Sequence, residues 1–288
     1  MNSMGSYPIG VGGVGGSGTR VIAALLLKLG YQLGGDLNIM LDNLWFTLLF
    51  KRPVIYNNNI PEDEFENCWN LFRTAMEGGD NAKRAELETW ASSYLNTLVV
   101  DGRPQHSSEW LAERAHSLRS VLQASSPLEV RPWAWKEPNT HIVLPKLMYI
   151  ARDLKYIHVM RNGLDMAWST NQNQLMFWGN RFLSEEELAA SRPRALLKYW
   201  CRTHQRIFEI ARLLPGRFFI LNYDALCLSP VVELGKLLDF LQINYSISLV
   251  SALSDLIQSP NSLGRYQFQP LDIFDPEDVI YVRSLGYS

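Results

Sequence analysis

The chain holds 288 residues, with 27 Lys plus Arg against 29 Asp plus Glu, a formal net charge of −2. That length suits one large α/β domain or two small ones, and 47% apolar residues exclude wholesale disorder. The near-neutral balance removes the electrostatic case for a general nucleic-acid binder. Cys68, Cys201 and Cys227 are scattered, and the five histidines show no metal-ligand spacing. Neither a metal site nor a disulfide framework is therefore expected. Met1–Tyr7 is uncharged and does not read as a secretory signal. The longest aliphatic run, Val21–Leu27, stops at Lys28, far short of the ~20 residues that span a bilayer. The reading is a soluble, cytoplasmic protein without a membrane span.

Tyr7–Val11 predicts a first strand. A glycine-rich stretch, Gly12–Gly18, comes next, then an apolar run from Val21 to Leu29 too continuous for a surface helix. Strand, glycine loop and buried helix open a nucleotide-binding α/β domain. From Leu41 to about Gln123 the pattern is amphipathic and helical, punctuated by Pro53, Pro61, Gly78-Gly79 and Gly102-Arg103-Pro104. It predicts a helical insert, the usual place for substrate-specific elements. The Trp/Phe/Leu stripe at 44–50 reads as core or pocket lining.

Strand signals return at Val130–Trp135, Tyr156–Met160 and Arg217–Leu221. Runs apolar nearly throughout predict a parallel sheet buried on both faces. Helices are predicted at 140–151, 163–176, 185–213 and 230–241, and the tail beyond Pro260 is turn-rich with little periodicity. The fold class is α/β: three layers, a central parallel sheet, a P-loop-like core and the insert, read as a single domain over 1–288.

The glycines of Gly10–Gly18 let backbone approach a phosphate, whose charge the N-terminus of the following helix then holds. Ser17 and Thr19 can cap that helix and offer hydroxyls. A side chain at Gly18 is expected to meet a bound phosphate or the loop's own backbone. A Walker A loop needs Gly-Lys-Ser/Thr, but Gly18-Thr19 leads into Arg20, so ATP hydrolysis in that manner is disfavoured. Gly10-x-Gly12-x-x-Gly15 matches the dinucleotide fingerprint, with Asp36 near the place of a ribose-binding acid, yet no strand leads to Asp36.

Arg161 stands at the carboxyl end of a predicted strand, where α/β ligand sites lie, and Ser169 follows eight residues later, about two turns into the next helix. An arginine fork and a serine hydroxyl can converge on one phosphate.

With these residues in view, the sequence resembles the sulfotransferases that use 3′-phosphoadenosine 5′-phosphosulfate (PAPS), nearest in motif to the tyrosyl-protein branch. The resemblance implies that the loop Gly15-Gly16-Ser17-Gly18-Thr19-Arg20 holds the 5′-phosphosulfate, and that Arg161 and Ser169 hold the 3′-phosphate. Leu221-Asn222-Tyr223-Asp224-Ala225-Leu226 looks like the family's Tyr-Glu-Asp-Leu segment, which places Tyr223 near the nucleotide. Ser262-Leu263-Gly264-Arg265 resembles a late Gly-Arg loop, implying a 3′-phosphate contact from Gly264 and Arg265. Trp135-Lys136-Glu137-Pro138 resembles a Lys-Asp-Pro segment whose lysine faces the transferring group. Two positions depart from the pattern. Gly16 stands where most members carry Lys or Arg, and Val21 where an adenine-stacking aromatic is common.

What the resemblance implies chemically is in-line transfer of a sulfuryl group from PAPS to a hydroxyl or amine, leaving adenosine 3′,5′-bisphosphate. The acceptor is a small molecule, a carbohydrate or a peptide. Lys136 is the first candidate cation, with Arg20 as a substitute for the missing loop cation. Asp36, Asp42 and His141 are alternative general bases. A nucleotide-dependent phosphotransferase and a catalytically silent bisphosphate binder are the rival readings.

Overall fold

A computed structural model describes residues 7–77, 81–100, 103, 105–124, 131–171 and 173–287, without the side chains of 81–84 and 86. Met1–Ser6, Gly78, Gly79, Gly102, Pro104 and Val130 lie outside the described residues. The elements run β1 (Ile9–Gly13), α1 (Thr19–Lys28), α2 (Leu44–Phe50), α3 (Pro53–Tyr56), α4 (Glu62–Glu77), α5 (Asn81–Val99), α6 (Ser108–Gln123), β2 (Ala134–Lys136) and α7 (Thr140–Ile150). They continue with β3 (Lys155–Met160), α8 (Gly163–Ala167), α9 (Asn173–Trp178), α10 (Glu185–Ala189), α11 (Arg192–Leu213), β4 (Phe218–Asn222), α12 (Tyr223–Leu228), α13 (Pro230–Phe240), α14 (Ile247–Ser254) and α15 (Pro276–Ser284).

The four strands form one sheet in the order β2-β1-β3-β4. Val11 is the register partner of Lys136, and Met160 that of Asn222, in parallel ladders. Parallel strands need crossovers, and the helices between them supply these. Strands β1 and β2 are wholly buried and β3 nearly so, as runs apolar nearly throughout predict. Strand β4 stands at the sheet edge and is half-buried except at Leu221.

Three predicted elements change. The helix predicted over 163–176 is broken between Ala167 and Asn173. In the break, Ser169 Oγ accepts from Asn171 N–H at 3.2 Å, and Asn171 Oδ1 accepts from Asn173 N–H at 3.2 Å. Such side-chain bonds to nearby backbone compete with helix continuation. Ser169 therefore sits in a link, not two turns into a helix. The 185–213 helix divides before Pro193, which takes the first turn of α11. The tail contains α15, too short for its periodicity to stand out, with Asp278, Val279 and Val282 buried.

The chain divides into two compact units. The insert-bearing unit, Ser3–Val11 with Ile22–Lys155, is organised by aromatic rings. Trp45–Phe50 of α2 are all buried, and Phe46 stacks on Trp135 at 5.5 Å while Phe72 meets Trp135 edge-on at 5.6 Å. Burial of each such ring contributes roughly 1.5–3 kcal/mol, so the 44–50 stripe is core.

The loop-bearing unit comprises Gly12–Val21 with Tyr156–Ser288. Here Trp200 of α11 packs on α8, whose first residue must be small. A Cβ on Gly163 would come within 2.8 Å of the Trp200 ring. The indole N–H of Trp200 donates to the Arg161 carbonyl at 3.1 Å, which fixes the end of β3.

Candidate active site

The glycine loop folds back tightly on itself. Ser17 N–H donates to the Val14 carbonyl at 3.0 Å, and Gly16 and Gly18 adopt φ of +96° and +98°, a region that favours glycine. A Cβ on Gly18 would collide with the ring of Tyr223, coming within 2.9 Å of its Cγ. The obstacle expected at Gly18 is thus an aromatic face of the same unit, not the loop's backbone. Ser17 Oγ is buried without a hydrogen-bond partner among the described residues, so it does not cap α1. Thr19 is buried as the first residue of α1, and Arg20 beside it is exposed.

At the end of β3, Arg161 is 7% exposed and donates from Nη2 to Ser262 Oγ at 2.9 Å. Its Nε is buried and has no partner among the described residues. Arg265 donates from Nε to the Ser262 carbonyl and from Nη1 to the Trp168 carbonyl, each at 3.2 Å. Ser262 thereby links the two guanidinium groups, and the Trp168 contact brings Arg265 beside Ser169. Asp165, 1% exposed, organises this cluster. It accepts from Gly264 N–H at 2.7 Å and Tyr266 N–H at 3.0 Å, and Arg161 stands 3.9 Å away. Burial, and then the field of Arg161, push the Arg265 guanidinium below its usual range. Burial pushes the Tyr223 phenol up to about 12, against a smaller opposing pull from Arg161.

In the insert-bearing unit, Lys136 ends β2 with its side chain 3% exposed. Its Nζ donates to the Met40 carbonyl at 3.0 Å and forms an ion pair with Asp42. The 38–42 turn is built around Asn38, whose Oδ1 accepts from both Met40 and Asp42 N–H at 2.9 Å and whose Nδ2 donates to Asp42 Oδ2 at 2.8 Å. Leu41 in that turn takes φ of +62°, a strained choice for a branched side chain. Asn43, fully buried, ties the turn to the strand by donating its N–H to the Lys136 carbonyl at 2.8 Å. Asp36, by contrast, pairs with Arg114 of α6 at 2.9 Å, and burial raises its carboxyl above the usual range. His141 is fully buried in the first turn of α7.

A sequence model described as the sulfotransferase family matches residues 8–246 of the chain. The chain belongs to the sulfotransferase family. The sulfotransferase domain of the Synechococcus PCC 7002 olefin synthase shares the fold, with a TM-score of 0.53 at 13% identity over 100% of this chain and 98% of that one. A sulfotransferase of Mycobacterium avium gives a TM-score of 0.48 at 14% identity over 97% of this chain and 76% of that one. The sulfotransferase domain of the curacin biosynthetic pathway gives 0.47 at 15% identity over 98% of each chain. These last two superpose too loosely to add to the argument. No curated relative matches significantly.

In this sulfotransferase the loop, Arg161, Ser169, Tyr223, Gly264 and Arg265 fall in one compact unit, and Lys136, Asp36, Asp42 and His141 in the other. Among the described residues, no helix is long and apolar enough to cross a membrane. Sequence reasoning missed Asp165, Asn38 and Asn43. Of these only Asp165 carried a signal, its i,i+4 spacing from Arg161. The donor set of the loop-bearing unit suits an anion. Asp165 offsets part of the repulsion between the two neighbouring arginines, and the buried Arg161 Nε and Ser17 Oγ have no partner among the described residues.

Proposed function

We propose that this sulfotransferase uses PAPS as donor and transfers its sulfuryl group to a hydroxyl or amine of a small-molecule, carbohydrate or peptide acceptor. The observation that carries this reading is the Arg161–Ser262–Arg265 arrangement, with Arg161 Nε buried and without a partner among the described residues. Arg161, Arg265 and the Ser169 hydroxyl bind the 3′-phosphate, held in place by Asp165 and the Gly264 turn. The Gly15–Thr19 backbone N–H groups and the Ser17 and Thr19 hydroxyls bind the 5′ end, with Tyr223 against Gly18. PAPS, when bound, supplies a sulfuryl group activated on its 5′-phosphate.

Lys136 offsets the negative charge that gathers on the 5′-phosphate oxygens as the bond to sulfur breaks. Its support is its place at the end of β2, in register with the residue that leads into the loop. Asp42, already paired with Lys136, takes the acceptor's proton. Asp36, whose carboxyl pKa is raised by burial although Arg114 pairs with it, and the buried His141 are the alternative bases. The helices between residues 44 and 123 shape the acceptor site. The test is transfer of labelled sulfate from PAPS across a panel of phenols, alcohols, amines, sugars and tyrosine peptides. Acceptor-dependent labelling is expected. Bisphosphate binding with no labelled product would leave only a nucleotide binder, and a preference for ATP would favour phosphoryl transfer.

A further inference from the structure

Helix α9 buries two side chains, Gln174 and Trp178, four residues apart and so on one face. An indole on such a face needs no special explanation, but a primary amide does. Burying an amide without its hydrogen bonds is unfavourable. Gln174 is 7% exposed, and its Oε1 has no partner among the described residues.

The surroundings of this amide indicate what it serves. A Cβ on Gly15 would stand 2.8 Å from Gln174 Cδ and nearer still to Nε2, so the amide lies directly on the loop backbone. Glycine at 15 is what admits it. At Gly16, the next residue, the backbone is exposed and carries no side chain. Between Gly10 and Thr19 the loop has no charged residue, and its side-chain donors are the hydroxyls of Ser17 and Thr19.

We infer that Gln174 is a ligand-binding residue of the sulfotransfer site. Its amide N–H donates to an anionic oxygen at the 5′ end of the nucleotide, where Gly16 offers no side chain. This rests on the PAPS reading above. It makes the Gly15–Gln174 contact part of the binding surface and not simply a packing contact.

The experiment is calorimetric titration of the full chain with adenosine 3′,5′-bisphosphate and with adenosine 3′-phosphate, which lacks the 5′ anion. Gln174→Leu keeps the volume and removes the donor. It should weaken bisphosphate binding roughly 10- to 100-fold, the scale of a hydrogen bond to a charged group, and leave adenosine 3′-phosphate binding unchanged. Gln174→Glu, which sets a carboxylate against the anion, should lose more. A Gln174→Leu protein that keeps the wild-type preference for the bisphosphate within twofold overturns the inference. A wild-type protein that does not distinguish the two nucleotides overturns the PAPS reading itself, and this inference with it.

Discussion

Asp165 Oδ2 accepts the backbone N–H of Gly264 at 2.7 Å across 99 residues of sequence. The same carboxylate accepts from Tyr266 N–H and faces Arg161, so one buried acid sets both arginines of the cluster. Removing it leaves two backbone donors without their acceptor and takes a nearby negative charge from the buried Arg161 guanidinium.

Asp165→Ala should therefore cost about 3–5 kcal/mol, the scale for breaking a buried charged pair. Asp165→Asn keeps the shape, retains an acceptor and should lose less. Urea unfolding of the two variants checks this order. A midpoint for Asp165→Ala equal to that of wild type would show that the Gly264 turn is held by other contacts.

Gly18→Val should lose nucleotide binding, because the new side chain meets the Tyr223 ring and must adopt a φ near +98°. Gly18→Val combined with Tyr223→Ala removes the collision but not the backbone strain, so it should recover binding only in part. Calorimetry with adenosine 3′,5′-bisphosphate reads both variants.

The candidate site residues that the sequence offered are those encoded in short runs of consecutive residues. The glycine loop, the strand-end Arg161, the late Gly264-Arg265 pair and Lys136 each stand in a short local pattern. Asn43 and Gln174 were not legible, because their importance depends on what folds against them: the Lys136 carbonyl for one and Gly15 for the other. Local competition also hid the break after Ala167, where Ser169 and Asn171 bond nearby backbone in place of a helical turn. The strands were easier, since an apolar run at a buried parallel position leaves few alternatives.

Lys136→Ala should bind adenosine 3′,5′-bisphosphate within several-fold of wild type yet transfer sulfate at least about a hundredfold more slowly, as expected for a donor that acts on transition-state charge. It also leaves Asp42 and the Met40 carbonyl without their lysine partner. Single-turnover transfer from PAPS measures the step directly. A rate within threefold of wild type would return Lys136 to a structural role in the 38–42 turn.

His204 is fully buried, with Nδ1 2.7 Å from the Trp200 carbonyl and its ring 5.1 Å from that of His158. Burial pushes its pKa down to about 4. The unfolded chain, with a histidine pKa near ~6.5, then binds more protons between these values. This group's contribution is complete above the unfolded value and is lost as pH falls toward the folded one, at up to about 1.4 kcal/mol per pH unit. His204→Gln should flatten the dependence of the urea midpoint between pH 7 and pH 5. An unchanged slope would assign the acid sensitivity to other groups.

The loop-bearing unit is proposed to recognise a nucleotide phosphorylated at both its 3′ and 5′ ends. The most direct test is calorimetric titration of wild type and Arg161→Ala with adenosine 3′,5′-bisphosphate and with adenosine 5′-phosphate. The wild type should strongly prefer the bisphosphate. Arg161→Ala should cost about 1.5–3 kcal/mol of that binding, the scale of a charged hydrogen bond, and reduce the preference about 10- to 150-fold. A folded Arg161→Ala protein that discriminates between the two nucleotides as well as wild type does would contradict the account.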